Sequence, residues 1–272
     1  MIDLDERYVQ NIQLENQLFN DIVQVQLPQQ YTLVTYRVMA ILDWSARFCR
    51  QAKHIFKTDD DVFINSPLLI RYVSRLLYPQ QSPIAQSTLS TSTNTTNSTS
   101  TTSTTSRSIN SVSHSDALLK TFRPDLISIY GYKISQPRVI RDADDVVQQR
   151  YVVTEDEYRC SQYPDYLSGF GYLLPKVARD AVLYAFYFDK HPFRISDVYI
   201  TGILPDYLRI NRESMSEYNI RYLGSCETFF NNYKHSFACA VGSHFGSAND
   251  VFIQYNKYWK TLKANIETIY SF

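Results

Sequence analysis

Apolar positions along the first third of the chain switch between a two-residue and a three-to-four-residue period, which predicts a β-α-β-α order. Residues 21–27 alternate as a strand through IVQVQL. Across residues 31–51, Val34, Val38, Ile41, Leu42 and Phe48 fall on one helical face, and Trp44 on the same helix reads as core. A short strand at residues 54–57 ends on three aspartates. Ser66 and Pro67 then supply an N-cap and a proline at the first helical position, and the helix runs on through Leu69, Tyr72, Val73, Leu76 and Leu77. Further on, residues 127–134 and 150–154 are predicted as strands. Pro175 opens a helix with Val177, Ala178, Ala181, Val182 and Ala185 facing inward, and another helix spans about 198–208. Strands alternating with helices imply an α/β domain with a largely parallel sheet, in which ligands bind beyond the carboxyl ends of the strands. The aspartates stand at such an end.

Composition narrows the function classes. The 272 residues carry 27 basic and 27 acidic side chains, a balance that excludes a broad electrostatic grip on nucleic acid. No apolar run approaches the roughly 18–20 residues that span a bilayer. The polar, mixed-charge residues 1–20 do not form a secretory signal either. Between Ser87 and Ser108, 18 of 22 residues are Ser or Thr. Such a tract buries too little surface to offset its ordering entropy. Residues of about 82–115 are therefore expected to be a disordered insertion within a single domain spanning 1–272. It carries two N-glycosylation sequons, at Asn94 and Asn97. Cys49, Cys160, Cys226 and Cys239 allow two disulfides in three pairings or four reduced thiols, and no CxxC pair suggests zinc.

The candidate chemistry centres on Asp59, Asp60 and Asp61. Adjacent carboxylates repel one another unless a cation or hydrogen-bond donors neutralise them. At a strand end, a hard divalent ion, Mn²⁺ or Mg²⁺, bridging to a diphosphate accounts for them; the alternative is a solvated acidic turn. The apolar segments on either side and the capped helix just after favour the metal. A phosphatase-type acidic motif would need Thr or Val where Phe63 stands.

The stretch DIVQVQLPQQYTLVTYRVMAILDWSARFCRQAKHIFKTDDDVFIN resembles the β-1,3-galactosyltransferase and β-1,3-N-acetylglucosaminyltransferase family, glycosyltransferase family 31, to which fringe enzymes are related. The family pattern runs from an Asp-Ile strand through a Trp-bearing helix and Phe-Cys to Lys-Thr-Asp-Asp-Asp-Val-Phe and Asn. Further blocks follow in the same order: Tyr130-Gly131, Arg141-Asp142, RYVVTEDEY, YPDYLSGFGYLL and SDVYITGIL. The resemblance covers about residues 15–260 apart from the insertion.

It implies a GT-A type α/β fold, a mixed and mostly parallel sheet flanked by helices, Mn²⁺ dependence and inversion at the sugar carbon. The implied reaction moves galactose or an N-acetylhexosamine from a UDP-sugar to the 3-hydroxyl of an acceptor glycan on a glycoprotein or glycolipid. It further implies that Asp61 and His244 are metal ligands, with Asp60 near the donor and Asp59 supporting the turn. Asp197 would be the catalytic base, and Gly169, Gly171 and Tyr172 the floor beneath the transferred sugar. A lumenal Golgi location is implied too, with membrane attachment only through an anchor that this chain lacks. The family's first strands are expected before residue 15, so the chain reads as N-terminally truncated. In an oxidising lumen at least one disulfide is expected, involving Cys226 or Cys239.

Each residue has a plainer reading. Asp197 is placed to cap a helix, His244 can be a satisfied structural residue with His235 as a competing match, and Gly169 and Gly171 can mark a tight turn. Ser196 departs from the family, which usually carries an acidic residue there. The second function reading is an inactive or truncated homologue that binds glycan or nucleotide.

Overall fold

The computed structural model describes residues 6–27, 33–78, 126–215, 226, 238–241 and 248–270. The Ser/Thr-rich tract, His235 and His244 lie outside the described residues. Helix α1 (Glu6–Phe19) is followed by 20–27, which form no strand: Val23 and Val25 are about half exposed, and no described strand pairs with them. The predicted alternation there has no sheet to bury it.

Helix α2 (Val34–Phe48) buries Thr35, Val38, Met39, Leu42 and Ser45, a face turned from the predicted one. Ile41 and Phe48 are exposed, and Trp44 sits at the surface against Phe48 instead of in the core. Small polar Thr35 and Ser45 belong to the buried face because they find backbone partners, the carbonyls of Phe193 and Leu42. Hydropathy alone does not reveal such residues.

Strand β1 (His54–Thr58), strand β2 (Val62–Ile64) and helix α3 (Ser66–Leu77) follow. Asn65 is the N-cap of α3, one residue earlier than predicted; its side chain accepts the N–H of Leu68 at 3.2 Å. Next come β3 (Ser128–Ile134), the short helix α4 (Val146–Gln149) and β4 (Tyr166–Pro175). The predicted strand at 150–154 is instead a loop. Helix α5 (Lys176–Phe188) begins where β4 ends. A π-helical turn (Val198–Ile203) leads into helix α6 (Leu204–Leu208) and strand β5 (Asn211–Ser214). Strand β6 (Ala238–Ala240) and the long helix α7 (Ala248–Tyr270) complete the described elements. None of the described helices is long and apolar enough to cross a membrane.

The result is a mixed α/β structure. The main sheet has the order β1-β4-β3-β5, with β4 antiparallel to both neighbours and only β3–β5 parallel. The expectation of a mostly parallel sheet therefore fails for the described strands. Strand β2 leaves that sheet to pair with β6. Strand β4 is covered on both faces, so LSGFGYLL reads as a continuous run without alternation. Leu42 of α2, Ile129, Leu167, Leu174, Val182 and Ile200 form the largest core cluster where α2, α5 and the π-helical turn meet the sheet. Buried Arg179 is tolerated there because its guanidinium pairs with Asp180 at 2.6 Å and donates to the Ser45 carbonyl.

Candidate active site

The acidic turn is braced from two sides. Strand β1 delivers Lys57 and Thr58 beside β4, in register with Tyr172 and Gly171. Lys57 Nζ donates to Asp59 Oδ1 at 2.5 Å and to the Gly169 carbonyl at 2.8 Å, while Thr58 Oγ1 donates to the Phe170 carbonyl. On the far side, the N–H of Val241 donates to the Asp61 carbonyl, extending the β2–β6 pairing into the turn. Cys239 in β6 is bonded to Cys226, so the expected disulfide is present; Cys49 and Cys160 are free. The Tyr255 hydroxyl of α7 lies 2.7 Å from the Asp60 carbonyl and 2.8 Å from that of Val62.

Asp59 is engaged by Lys57, Asp60 is exposed and Asp61 is partly exposed. Burial, together with the field of Asp61 and Asp60, pushes the Tyr255 phenol up to about 12. Negative field and hard oxygen donors at this turn suit a divalent cation. Among the described residues, no three His, Cys, Asp or Glu side chains converge on a common point.

Asp197 stands at the entry to the π-helical turn. Its Oδ2 accepts the N–H of Gly169 at 3.2 Å and its Oδ1 accepts the N–H of Val198 at 3.0 Å. The capping role and the link to β4 thus coexist in one carboxylate. Burial raises its pKa above the ordinary carboxylate value, while these N–H groups and the Lys57 charge pull the other way without prevailing. The buried Thr201 hydroxyl fixes the segment: it accepts the N–H of Leu167 at 2.9 Å and lies within 2.6 Å of the Asp197 carbonyl. Asp197 lines a cavity of about 490 Å³ whose walls include Tyr132, Tyr151, Tyr163 and Tyr166, with Arg138 as its cation.

Asp59, Gly169 and Asp197 are thus joined through Lys57. Gly169 and Gly171 lie in extended β4 and not in a tight turn. A Cβ at Gly171 would meet Phe56 Cζ at 2.8 Å, whereas one at Gly169 would meet Asp197 at an ordinary 3.5 Å. Tyr172 is fully buried, its ring 5.8 Å from Lys57 Nζ, and burial raises its pKa. Sequence reasoning gave no role to Lys57, Thr201 or Tyr255. Lys57 had a signal, a cation two residues before three carboxylates. Tyr255 had one in the Tyr255-Tyr258-Leu262 spacing, which buries a helical face against Phe63.

The Galactosyltransferase family profile matches residues 2–116 and 115–216, a span that includes the acidic turn and Asp197. The chain belongs to the galactosyltransferase family. Individual members are more distant. UDP-GalNAc:beta-1,3-N-acetylgalactosaminyltransferase 1 of Homo sapiens is 24% identical over 221 residues, 80% of this chain and 50% of that protein. Its Sus scrofa counterpart is 24% identical over 211 residues, 77% of this chain and 47% of its own length. Beta-1,3-galactosyltransferase 1 of Mus musculus is 35% identical over 74 residues, covering 27% of this chain and 22% of the mouse protein. The chain spans about half the length of the first two relatives. His244 lies beyond the family match.

Proposed function

We propose that this galactosyltransferase-family chain is an inverting β-1,3-glycosyltransferase of GT-A type. It moves galactose or an N-acetylhexosamine from a UDP-sugar to the 3-hydroxyl of an acceptor glycan. The observation that carries this reading is the Asp197 carboxyl, set in the wall of a tyrosine-lined cavity and linked through Gly169 and Lys57 to the acidic turn.

In this reading Asp197 takes the proton of the acceptor hydroxyl as its oxygen bonds to the sugar carbon and the bond from that carbon to the diphosphate breaks. A carboxylate with a raised pKa is the stronger base for that transfer. The tyrosines offer ring faces to the acceptor sugar and limit water. Lys57 holds Asp59 and β4 in fixed relation. Asp61, with Asp60 near the donor and His244, would hold Mn²⁺ or Mg²⁺, whose chemistry when bound is charge neutralisation on the diphosphate. Gly169, Gly171 and buried Tyr172 would form the floor beneath the donor sugar, Gly169 beside Asp197 and Gly171 making way for the Phe56 ring. The Cys226–Cys239 disulfide accords with a lumenal Golgi location.

The test is transfer from UDP-galactose and UDP-GalNAc to a panel of glycan acceptors with Mn²⁺, alongside calorimetric UDP binding. Transfer that forms a β-1,3 linkage supports the reading. UDP binding without turnover favours a nucleotide-binding homologue, and the absence of both overturns the assignment.

A further inference from the structure

The loop at 150–163 supplies Tyr151 and Tyr163 to a cavity wall that also includes Ile195, Asp197 and Val198, and Tyr163 shares a buried cluster with Ile195 and Val198. It has no strand pairing apart from one bridge between Gln162 and Arg138. Tyr163 is held by ring packing on Tyr158 and Phe193, at centroid distances of 5.0 and 5.8 Å. Its buried hydroxyl has no hydrogen-bond partner, so it gives the wall no polar anchor.

The backbone N–H groups of Val153 and Tyr163 donate to the carbonyls of Ile140 and Pro137, and two arginines add side-chain anchors. Arg141 donates to the carbonyls of Val153, Tyr158 and Cys160 at 2.7–2.9 Å, which folds the loop on itself. Arg194 does something different. It donates to the carbonyl of Arg150 at 2.6 Å, to that of Val152, and to Glu157 Oε1 at 2.8 Å. Glu157 in turn accepts the Thr154 N–H at 2.9 Å, and these bonds hold its carboxyl below the ordinary range. Arg194 stands three residues before Asp197, on the segment against which Tyr163 packs. A planar guanidinium reaching two carbonyls and a carboxylate fixes distance and direction together, which a single ammonium does not.

We propose that Arg194 is a positioning residue for the acceptor, tying the tyrosine loop to the segment that carries Asp197 and so fixing where the acceptor stands relative to the base. The proposal rests on the glycosyltransferase reading for its kinetic consequence, but not for its structural one. Arg194 touches no reacting atom. Its loss lets the wall move relative to the base, while the donor side, held by Lys57 and the acidic turn, keeps its own bonds.

The test compares Arg194→Ala and Arg194→Lys with the unaltered chain by acceptor kinetics, by donor hydrolysis without acceptor, and by amide exchange. In Arg194→Ala the acceptor KM is expected to rise about tenfold or more and kcat for transfer to fall with it, because a loosened loop both binds the acceptor less well and misplaces it against the base, with donor hydrolysis within about twofold. Exchange in 150–163 is expected to speed up while β4 stays protected. Arg194→Lys should recover part of both effects. An unchanged acceptor KM in a folded Arg194→Ala protein overturns the proposal, as does an equal loss of transfer and donor hydrolysis. If the unaltered chain neither transfers nor hydrolyses, the glycosyltransferase reading fails. Exchange then decides the clamp separately, and unchanged exchange in 150–163 overturns it.

Discussion

The backbone N–H of Gly169 donates to Oδ2 of Asp197 at 3.2 Å, across 28 residues of sequence. This bond seats the π-helical turn on the central strand, and the Gly169 carbonyl on the same residue accepts from Lys57. One residue of β4 therefore touches both the carboxylate and the support of the acidic turn. Anything that shifts β4 laterally shifts the two together.

The glycines of β4 should consequently differ when a methyl group is added. Gly171→Ala drives its Cβ to 2.8 Å from Phe56 Cζ, inside a packed sheet. Overpacking of that kind costs roughly 1–3 kcal/mol. Gly169→Ala meets Asp197 at 3.5 Å and should fold nearly as before. Thermal melts of the two variants check this, and equal losses would show that the Phe56 contact does not govern the strand.

Removing Lys57 should change the pH profile. Its charge lowers the Asp197 pKa against the dominant effect of burial. Lys57→Met therefore raises that pKa further, and the acid limb of kcat/KM moves to higher pH. A limb in its original place would mean that Lys57 and Asp197 do not share an environment.

The acidic turn predicts an order of effects. Asp61→Ala should abolish Mn²⁺-dependent UDP binding, since Asp61 is the proposed metal ligand. Asp59→Ala should do less because Asp59 is paired with Lys57. Calorimetric titration of UDP with and without Mn²⁺ reads both. Unaltered metal-dependent binding in the Asp61 variant removes it from the metal's ligands.

Much of this site was legible in the sequence because it lies in short segments with distinctive residues. Asp59–Asp61 fall between a strand and a capped helix as predicted, and α3 and α5 appeared close to their predicted places. What failed had a common cause. Residues 20–27 alternate as a strand does, but pairing depends on a partner that periodicity does not register. The direction of β4 was hidden because a strand buried on both faces loses its alternation. The face of α2 was misjudged because Thr35 and Ser45 bury their hydroxyls on distant or local carbonyls. Nothing in the sequence singles out Arg194, and only the folded loop at 150–163 gives it partners.

The disulfide makes a prediction independent of the chemistry. Cys226 and Cys239 are 13 residues apart and their bond anchors β6 beside the acidic turn. Closing a loop of that size stabilises by about 3 kcal/mol in the chain-entropy account. Thiol counting of the denatured, unreduced protein should find two free groups, Cys49 and Cys160. Reduction should lower the denaturation midpoint, and four free thiols would contradict the pairing.

Asp197→Asn separates the base from the cap. Asn is as good a cap as Asp, so the Val198 N–H keeps an acceptor, while the Gly169 N–H then faces the amide nitrogen and loses one. It cannot take a proton, however. UDP binding should survive while turnover falls by roughly 10²–10⁴-fold, the usual contribution of a general base. Stability gives a second, opposite readout. The Asp197 pKa is raised in the folded state, so the folded chain holds that proton more tightly than the unfolded one. Between the unfolded and folded pKa values stability then falls as pH rises, and at neutral pH the buried charge is a cost. Relative to the unaltered chain, Asp197→Asn should therefore melt higher at pH 7 than it does below the ordinary aspartate range, the Gly169 N–H that faces the amide lowering it at both. A variant with lost turnover and a relative melting temperature that rises from acid to neutral pH fits a buried base. Full activity would leave Asp197 as a cap alone, and a loss of UDP binding with the turnover would move it to the donor side of the site.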